Sequence, residues 1–241
     1  MYKFIFCVCV MFLLSGCSQR FSKIPGFDNF DVVEKDILWR GEELDKDKAK
    51  LIIEEGARTI VSLLSCDEED NRIYLIKCGS NDLKSFKMVD DVNKNYNIAY
   101  YHIPFKEWTP LSNPDEMDNK VSEFLAIISN AKKKTNTPVY VHCAAGANRT
   151  GIMVAAYRII ELNESKEKAI EDMKTRADIF WYNPSLKGYI EGLTLNRIAN
   201  IIENKNKILN MRQTLLPDAI IHCEKYGKCA VKTDLINKDS L

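Results

Sequence analysis

Histidine is nearly absent from this chain of 241 residues, which contains three: His102, His142 and His222. Three scattered histidines form no metal-ligand cluster, so a metal-independent protein without a cofactor is expected. An excess of charge is missing too, since 34 Lys and Arg balance 34 Asp and Glu. Without a global field there is no pull toward nucleic acid or an anionic membrane surface, and a charged substrate has to be caught locally. The chain has no internal repeat and no low-complexity tract, which excludes solenoids and long disordered arms. Past the N-terminus no stretch approaches the roughly 18 to 20 apolar residues of a membrane span. A hydrophobic content of 46% suffices for one sizeable core and one main domain.

The first residues, MYKFIFCVCVMFLLSGCS, carry one lysine, an apolar run from Phe4 to Leu14, and then Leu14-Ser15-Gly16-Cys17. This has the form of a secretory signal peptide over 1–16. The last four residues resemble the bacterial lipobox, and that resemblance implies a lipid on Cys17 and a tether over 17–36. It also implies a bacterial envelope protein held to the membrane outside the cytoplasm. Four further cysteines, Cys66, Cys78, Cys223 and Cys229, suffice for two disulfides in an oxidising compartment, with 66–78 and 223–229 as the local pairings. Buried free thiols are the alternative.

The folded unit is expected over 37–203, starting near Ile37-Leu38-Trp39-Arg40-Gly41. A charged helix over about Asp45 to Glu55 leads to the buried strand Thr59-Ile60-Val61-Ser62-Leu63-Leu64. Residues 81–95 show weak helical periodicity, and Ile98 to Ile103 read as a strand halted by Pro104. Asn113-Pro114-Asp115-Glu116 has the grammar of a helix start, and the helix runs to about Lys134. Val139-Tyr140-Val141 is a short strand. Helices follow over Thr150–Leu162, Ser165–Arg176 and from Asn183 to about Glu203, and 204–241 form an extension of no assigned role. Strands alternating with helices predict an α/β fold with a mostly parallel central sheet flanked by helices.

The Val139 strand delivers His142 and Cys143 to a loop without large side chains, Ala144-Ala145-Gly146-Ala147-Asn148, ahead of Arg149-Thr150 at a helix start. Such a strand, loop and helix aims successive backbone N–H groups and the positive helix end at one point, which is an anion site. Gly146 supplies backbone angles a side chain forbids. The same field favours Cys143 as a thiolate nucleophile, and the planar fork of Arg149 matches two phosphoryl oxygens.

His142-Cys143-Ala144-Ala145-Gly146-Ala147-Asn148-Arg149-Thr150 resembles the HCxxGxxR[ST] signature of cysteine-dependent protein tyrosine phosphatases and fills each of its fixed positions. Trp39-Arg40-Gly41, TIVSLL, YYHIP and AAYRI extend the similarity over about 37–200, toward the bacterial dual-specificity-like branch. The resemblance implies that Cys143 forms a phosphocysteine and that Arg149 binds the phosphoryl group. It further implies that Thr150 donates to the sulfur, His142 orients the loop, and 144–149 bind phosphate. Relatives often carry aspartate just before the arginine, where this chain has Asn148.

The leaving oxygen needs a proton, and the family takes it from an aspartate on a loop after a strand. Two carboxylates qualify. Glu107 stands three residues after Pro104, and Asp115 has the more usual spacing from Cys143 but also fits ordinary helix capping. His102 is read as structural. The expected reaction is metal-independent hydrolysis of a phosphomonoester on a phosphorylated protein, of tyrosine or dual-specificity type, and no cation between Cys143 and Arg149 favours a monophosphate. Lys106 and Lys187 are outside sources of charge for the alternative, an inositol polyphosphate or other small phosphoester. Trp108, Trp181 and Tyr182 are candidate pocket walls. A tethered phosphate-binding pseudoenzyme is the reading from another class.

Overall fold

The computed structural model describes residues 26–65, 84–89, 95–107, 109–134, 136–176, 184–215, 220–223 and 229–232. The signal peptide, Cys17, Cys66, Cys78, Trp108, Trp181 and Tyr182 lie outside the described residues.

Four parallel strands form the centre of the sheet. They are β2 (Leu38–Gly41), β6 (Val139–His142), β3 (Thr59–Ser62) and β5 (Asn95–His102), side by side in that order. β1 (Asp31–Glu34) pairs antiparallel with β2 at one side. β4 (Lys84–Val89) pairs antiparallel with β5 at the other, followed by β7 (Ile220–Cys223) and β8 (Cys229–Lys232). This is the expected α/β architecture, with its parallel strands in the middle.

Strand alternation divides the core in two. Trp39, Ile60, Tyr100 and Tyr140 face α1 (Lys46–Glu54), whose Ile52 and Ile53 are fully buried there with Phe30. Leu38, Val61, Tyr101, Val139 and Val141 face the other helices. These are α2 (Thr109–Ser112), α3 (Pro114–Lys134), α4 (Asn148–Glu161), α5 (Lys166–Arg176), α6 (Pro184–Glu191) and α7 (Leu195–Leu215). Among their buried residues are Phe124, Ile152, Met173, Leu186 and Ile201. α3 begins as its sequence predicts: Glu116 N donates to Asn113 Oδ1 at 3.2 Å, and Asn113 Nδ2 donates back to Glu116 Oε2 at 3.1 Å. α6 and α7 are both pinned to α3, because Tyr189 of α6 and Arg197 of α7 donate to the Asp118 carboxylate.

Four boundaries differ from expectation. The fold reaches back into the predicted tether, because β1 joins the sheet and Phe27 and Phe30 pack beside Trp39 and Tyr140. Lys84–Val89 is a strand rather than part of a helix, since Phe86 and Met88 alternate with polar residues in register with Ile98 and Tyr96. The helix expected over Asn183 to Glu203 is two helices, parted at Gly192 to Thr194, where Thr194 Oγ1 accepts from Arg197 N. Residues past 204 continue α7 and then add β7 and β8 to the sheet.

Candidate active site

The carboxyl ends of β2, β6 and β3 are level, with Gly41 and Ser62 flanking His142. In a parallel sheet covered on both faces this is where ligands bind. Cys143, the next residue after β6, is a free thiol and 3% exposed. Residues 144–147 form a tight loop and α4 begins at Asn148 with Ala147 as its N-cap. No side chain caps that N-terminus and no acid occupies its first turn, so its amides stay available to a ligand.

The loop is shaped from behind. Ala144 O accepts from Glu43 N at 3.0 Å, Ala145 O from Asn29 Nδ2 at 2.9 Å, and Gly146 O from Arg40 Nη2 at 2.7 Å. Ala147 O accepts from Gly151 N at 2.7 Å and from Arg40 Nη2 at 3.4 Å. A trans peptide points its C=O and N–H in opposite directions, so these outward carbonyls turn the N–H groups of residues 145–148 to the other side. That is the nest predicted for an anion.

Close packing makes two glycines necessary. Gly146 has φ +68, and a Cβ there would lie 2.4 Å from the backbone of Gly41. A Cβ on Gly41 would lie 2.3 Å from Tyr140 Oη, which donates to Glu42 O at 2.6 Å.

Arg40 is fully buried among the helices and clamps the loop to α5 through Asp172 Oδ2 at 3.2 Å. Burial, aided by the Arg176 charge, lowers Arg40 to about 10, so it stays cationic at neutral pH. Asp172 also accepts from Arg176 Nε at 3.1 Å, and Arg176 pairs with Asp31 of β1. Sequence reading missed both Arg40 and Asn29 as parts of the site. The available signal was a charged residue inside the short strand LWRG, all of which is buried.

His142, Arg149 and Thr150 adjoin Cys143 on the loop and its helix. Arg149 is buried and donates through Nη1 to Leu63 O at 3.4 Å. Thr150 Oγ1 is buried one residue further on and makes no hydrogen bond among the described residues, so the expected bond to the cysteine sulfur is not formed in this state. His142 is buried, stacks on Tyr140 with centroids 5.9 Å apart, and accepts from Leu63 N through its backbone oxygen at 2.9 Å. Burial pushes its imidazole down to about 4, against a backbone contact with Cys143 that raises it and the charges of His102 and Arg149 that lower it. His102 is structural, its Nε2 lying 2.7 Å from Leu64 O.

Glu107 is half-buried beside the loop, and Asn148 Nδ2 donates to both of its oxygens at 3.4 Å. Asp115 is exposed in the first turn of α3, in the field of Arg197. Lys106 is exposed, and Lys187 pairs with Glu191 at 2.8 Å. Among the described residues no group of three or more His, Cys, Asp or Glu is placed to hold a metal ion.

A family model described as DSP-PTPase phosphatase fused to NAD+ kinase matches residues 26–180, well over half of the chain. The chain belongs to this family. Its members are of the cysteine-dependent, metal-independent protein phosphatase class. The dual specificity protein phosphatase OPG106 of Vaccinia virus (strain Copenhagen) is 33% identical over 101 residues, 40% of this chain and 56% of that protein. The chain thus spans about half the length of the curated relatives it matches. Solved structures share the fold. TpbA of P. aeruginosa is 20% identical with a TM-score of 0.54, the match covering 76% of this chain and 94% of that one. TpbA is also solved in complex with pTyr. The core catalytic domain of the PP-IP phosphatase SIW14 from S. cerevisiae is 17% identical with a TM-score of 0.50, covering 77% and 96%.

Proposed function

We propose that this protein hydrolyses phosphomonoesters through a phosphocysteine, as a tyrosine or dual-specificity-type protein phosphatase. The observation that carries the reading is the loop whose four successive carbonyls are engaged from behind, between Cys143 and the buried Arg149. The amides on the opposite side and the Arg149 guanidinium receive the three non-bridging phosphoryl oxygens, and their fixed orientation means little reorganises as charge builds up.

Cys143 sulfur attacks phosphorus as the thiolate. The S–P bond forms, the ester P–O bond breaks, and Glu107 gives its proton to the leaving oxygen. Glu107, now a carboxylate, takes a proton from water. The water oxygen bonds to phosphorus, the S–P bond breaks, and inorganic phosphate leaves. The buried Thr150 hydroxyl donates to the departing thiolate. Glu107 is preferred to Asp115 because Asn148 joins it to the loop, whereas Asp115 serves the start of α3.

A phosphotyrosine-type monophosphate is the favoured substrate. The loop carries no cation between Cys143 and Arg149, Glu107 adds a carboxylate at its rim, and Lys187 is committed to Glu191. The pTyr bound by TpbA accords with this choice. The lipobox-like LSGC at 14–17 supports export and a lipid on Cys17, as for an enzyme tethered to the outer side of a bacterial membrane. No helix among the described residues is long and apolar enough to cross one.

Turnover tests the reading, using full-length protein in detergent with reductant and chelator, on a phosphotyrosine peptide and on inositol hexakisphosphate. Phosphate release from the peptide, abolished by Cys143→Ser, is expected. Preference for the inositol substrate would replace the protein-phosphatase assignment, and phosphate binding without release from either would make the protein a binding module. Labelling with radioactive palmitate, lost in Cys17→Ala, tests the anchor.

A further inference from the structure

Three groups outside the loop hold the carbonyls of residues 144–146, and they differ in kind. Glu43 acts through its backbone N–H, Arg40 is buried and ion-paired, and Asn29 alone is a surface side chain. Its Nδ2 reaches Ala145 O at 2.9 Å across 116 positions of sequence.

The peptide it grips is the one with most freedom to turn. Gly146, at φ +68, lacks the Cβ that would restrict rotation of the Ala145–Gly146 unit. If that peptide flipped, Ala145 O would face the phosphoryl oxygens and the Gly146 N–H would face away, exchanging an attraction for a repulsion. A donor behind Ala145 O opposes the flip.

The identity of residue 29 fits this task. Its φ is +53, a left-handed conformation that Asn adopts far more readily than most L-residues. Glycine would take the conformation without a donor, and aspartate would present an acceptor to the carbonyl.

We propose that Asn29 is a positioning residue whose amide locks the Ala145–Gly146 peptide and so keeps the Gly146 N–H aimed at the phosphoryl group. The proposal rests on the phosphatase reading of the site and assigns a role to a segment that sequence analysis treated as tether.

Asn29→Gly and Asn29→Asp in the full-length chain test it, since both tolerate the left-handed backbone and neither can donate. Orthovanadate inhibition is measured on active enzyme, and binding of inorganic phosphate by calorimetry on the Cys143→Ser background. The Gly variant is expected to bind both oxyanions about 3- to 10-fold more weakly, from the loss of one hydrogen bond. The Asp variant should bind more weakly still, kcat/KM should fall in parallel, and the melting midpoint should hardly change. Unchanged affinity in both variants would overturn the proposal, as would losses that merely follow the unfolded fraction. The two ideas separate cleanly: intact turnover with unchanged affinity sinks the role of Asn29 alone. Absent turnover in the parent, with weakened phosphate binding in the variants, sinks the phosphatase reading and keeps the positioning role.

Discussion

Asn148 Nδ2 lies 3.4 Å from each carboxylate oxygen of Glu107, linking the segment after β5 to the first residue of α4. This residue is the departure from the pattern of relatives that carry aspartate before the arginine. An aspartate here would set two carboxylates against each other, whereas the amide attracts one. The pairing separates the two candidate acids.

Glu107→Gln is therefore expected to lower kcat on an alkyl phosphate by about 100-fold or more. Its effect on an aryl ester should be smaller, because that leaving group needs less proton assistance. Asp115→Asn should keep parental rates. Initial rates on phosphoserine peptide and p-nitrophenyl phosphate check this, and the reverse ranking would move the acid to Asp115.

Gly146→Ala introduces a methyl 2.4 Å from the Gly41 backbone, which has no flexible end to move aside. The loop has to shift and its amides lose their common aim. A drop in kcat/KM of about 100-fold is expected, the scale of losing a preorganised donor, with a stability loss of about 1–3 kcal/mol. Steady-state kinetics and urea melts report the two separately, and parental kinetics would show that the loop tolerates the displacement.

His142 sits at about 4 in the folded protein against an ordinary value of 6.5. Between those limits the unfolded chain binds a proton that the folded chain refuses, so ΔG of unfolding falls as pH falls. The contribution is complete above pH 6.5 and is lost toward pH 4, at a slope of up to about 1.4 kcal/mol per pH unit. Urea midpoints across this window should fall less steeply in His142→Gln than in the parent. Parallel slopes would mean that other groups carry the acid sensitivity.

Cys223 and Cys229 are directly opposed in the antiparallel β7–β8 pair. Opposed Cα atoms in such pairs stand about 4.5–5.5 Å apart, within the range a disulfide spans. Peptide mapping of protein isolated from an oxidising compartment should recover residues 223 and 229 in one cross-linked fragment. Complete alkylation of both without reduction would show free thiols.

The legibility of this molecule followed the range of the interactions. HCAAGANRT could be read because its function is local: a strand end, a loop without bulk and a helix start are consecutive in sequence. Asn113 was equally plain, since it caps its own helix. Asn29 and Arg40 act on residues more than a hundred positions away, and although an arginine within LWRG stands out, nothing near either residue in sequence names its partner. The strand at Lys84–Val89 was obscured by its mixed polarity and is defined by its register with β5. Spacing pulled in two directions, toward Glu107 from Pro104 and toward Asp115 from Cys143, and the two acids differ by what stands across from them.

The clamp from Arg40 to Asp172 spans 132 residues of sequence, and the grip of Asn29 on Ala145 spans 116. A ribosome that has made Cys143 and Arg149 has made Asn29, Arg40 and Glu43 but not yet Asp172, so the nascent chain holds the reactive pair before the clamp on their loop is complete. Contacts of such range slow folding, because the loop between their ends must be closed first. A chain threaded unfolded through a secretion channel would thus carry its thiol in latent form, and competence would arise only on the far side, once both ends of the clamp had emerged.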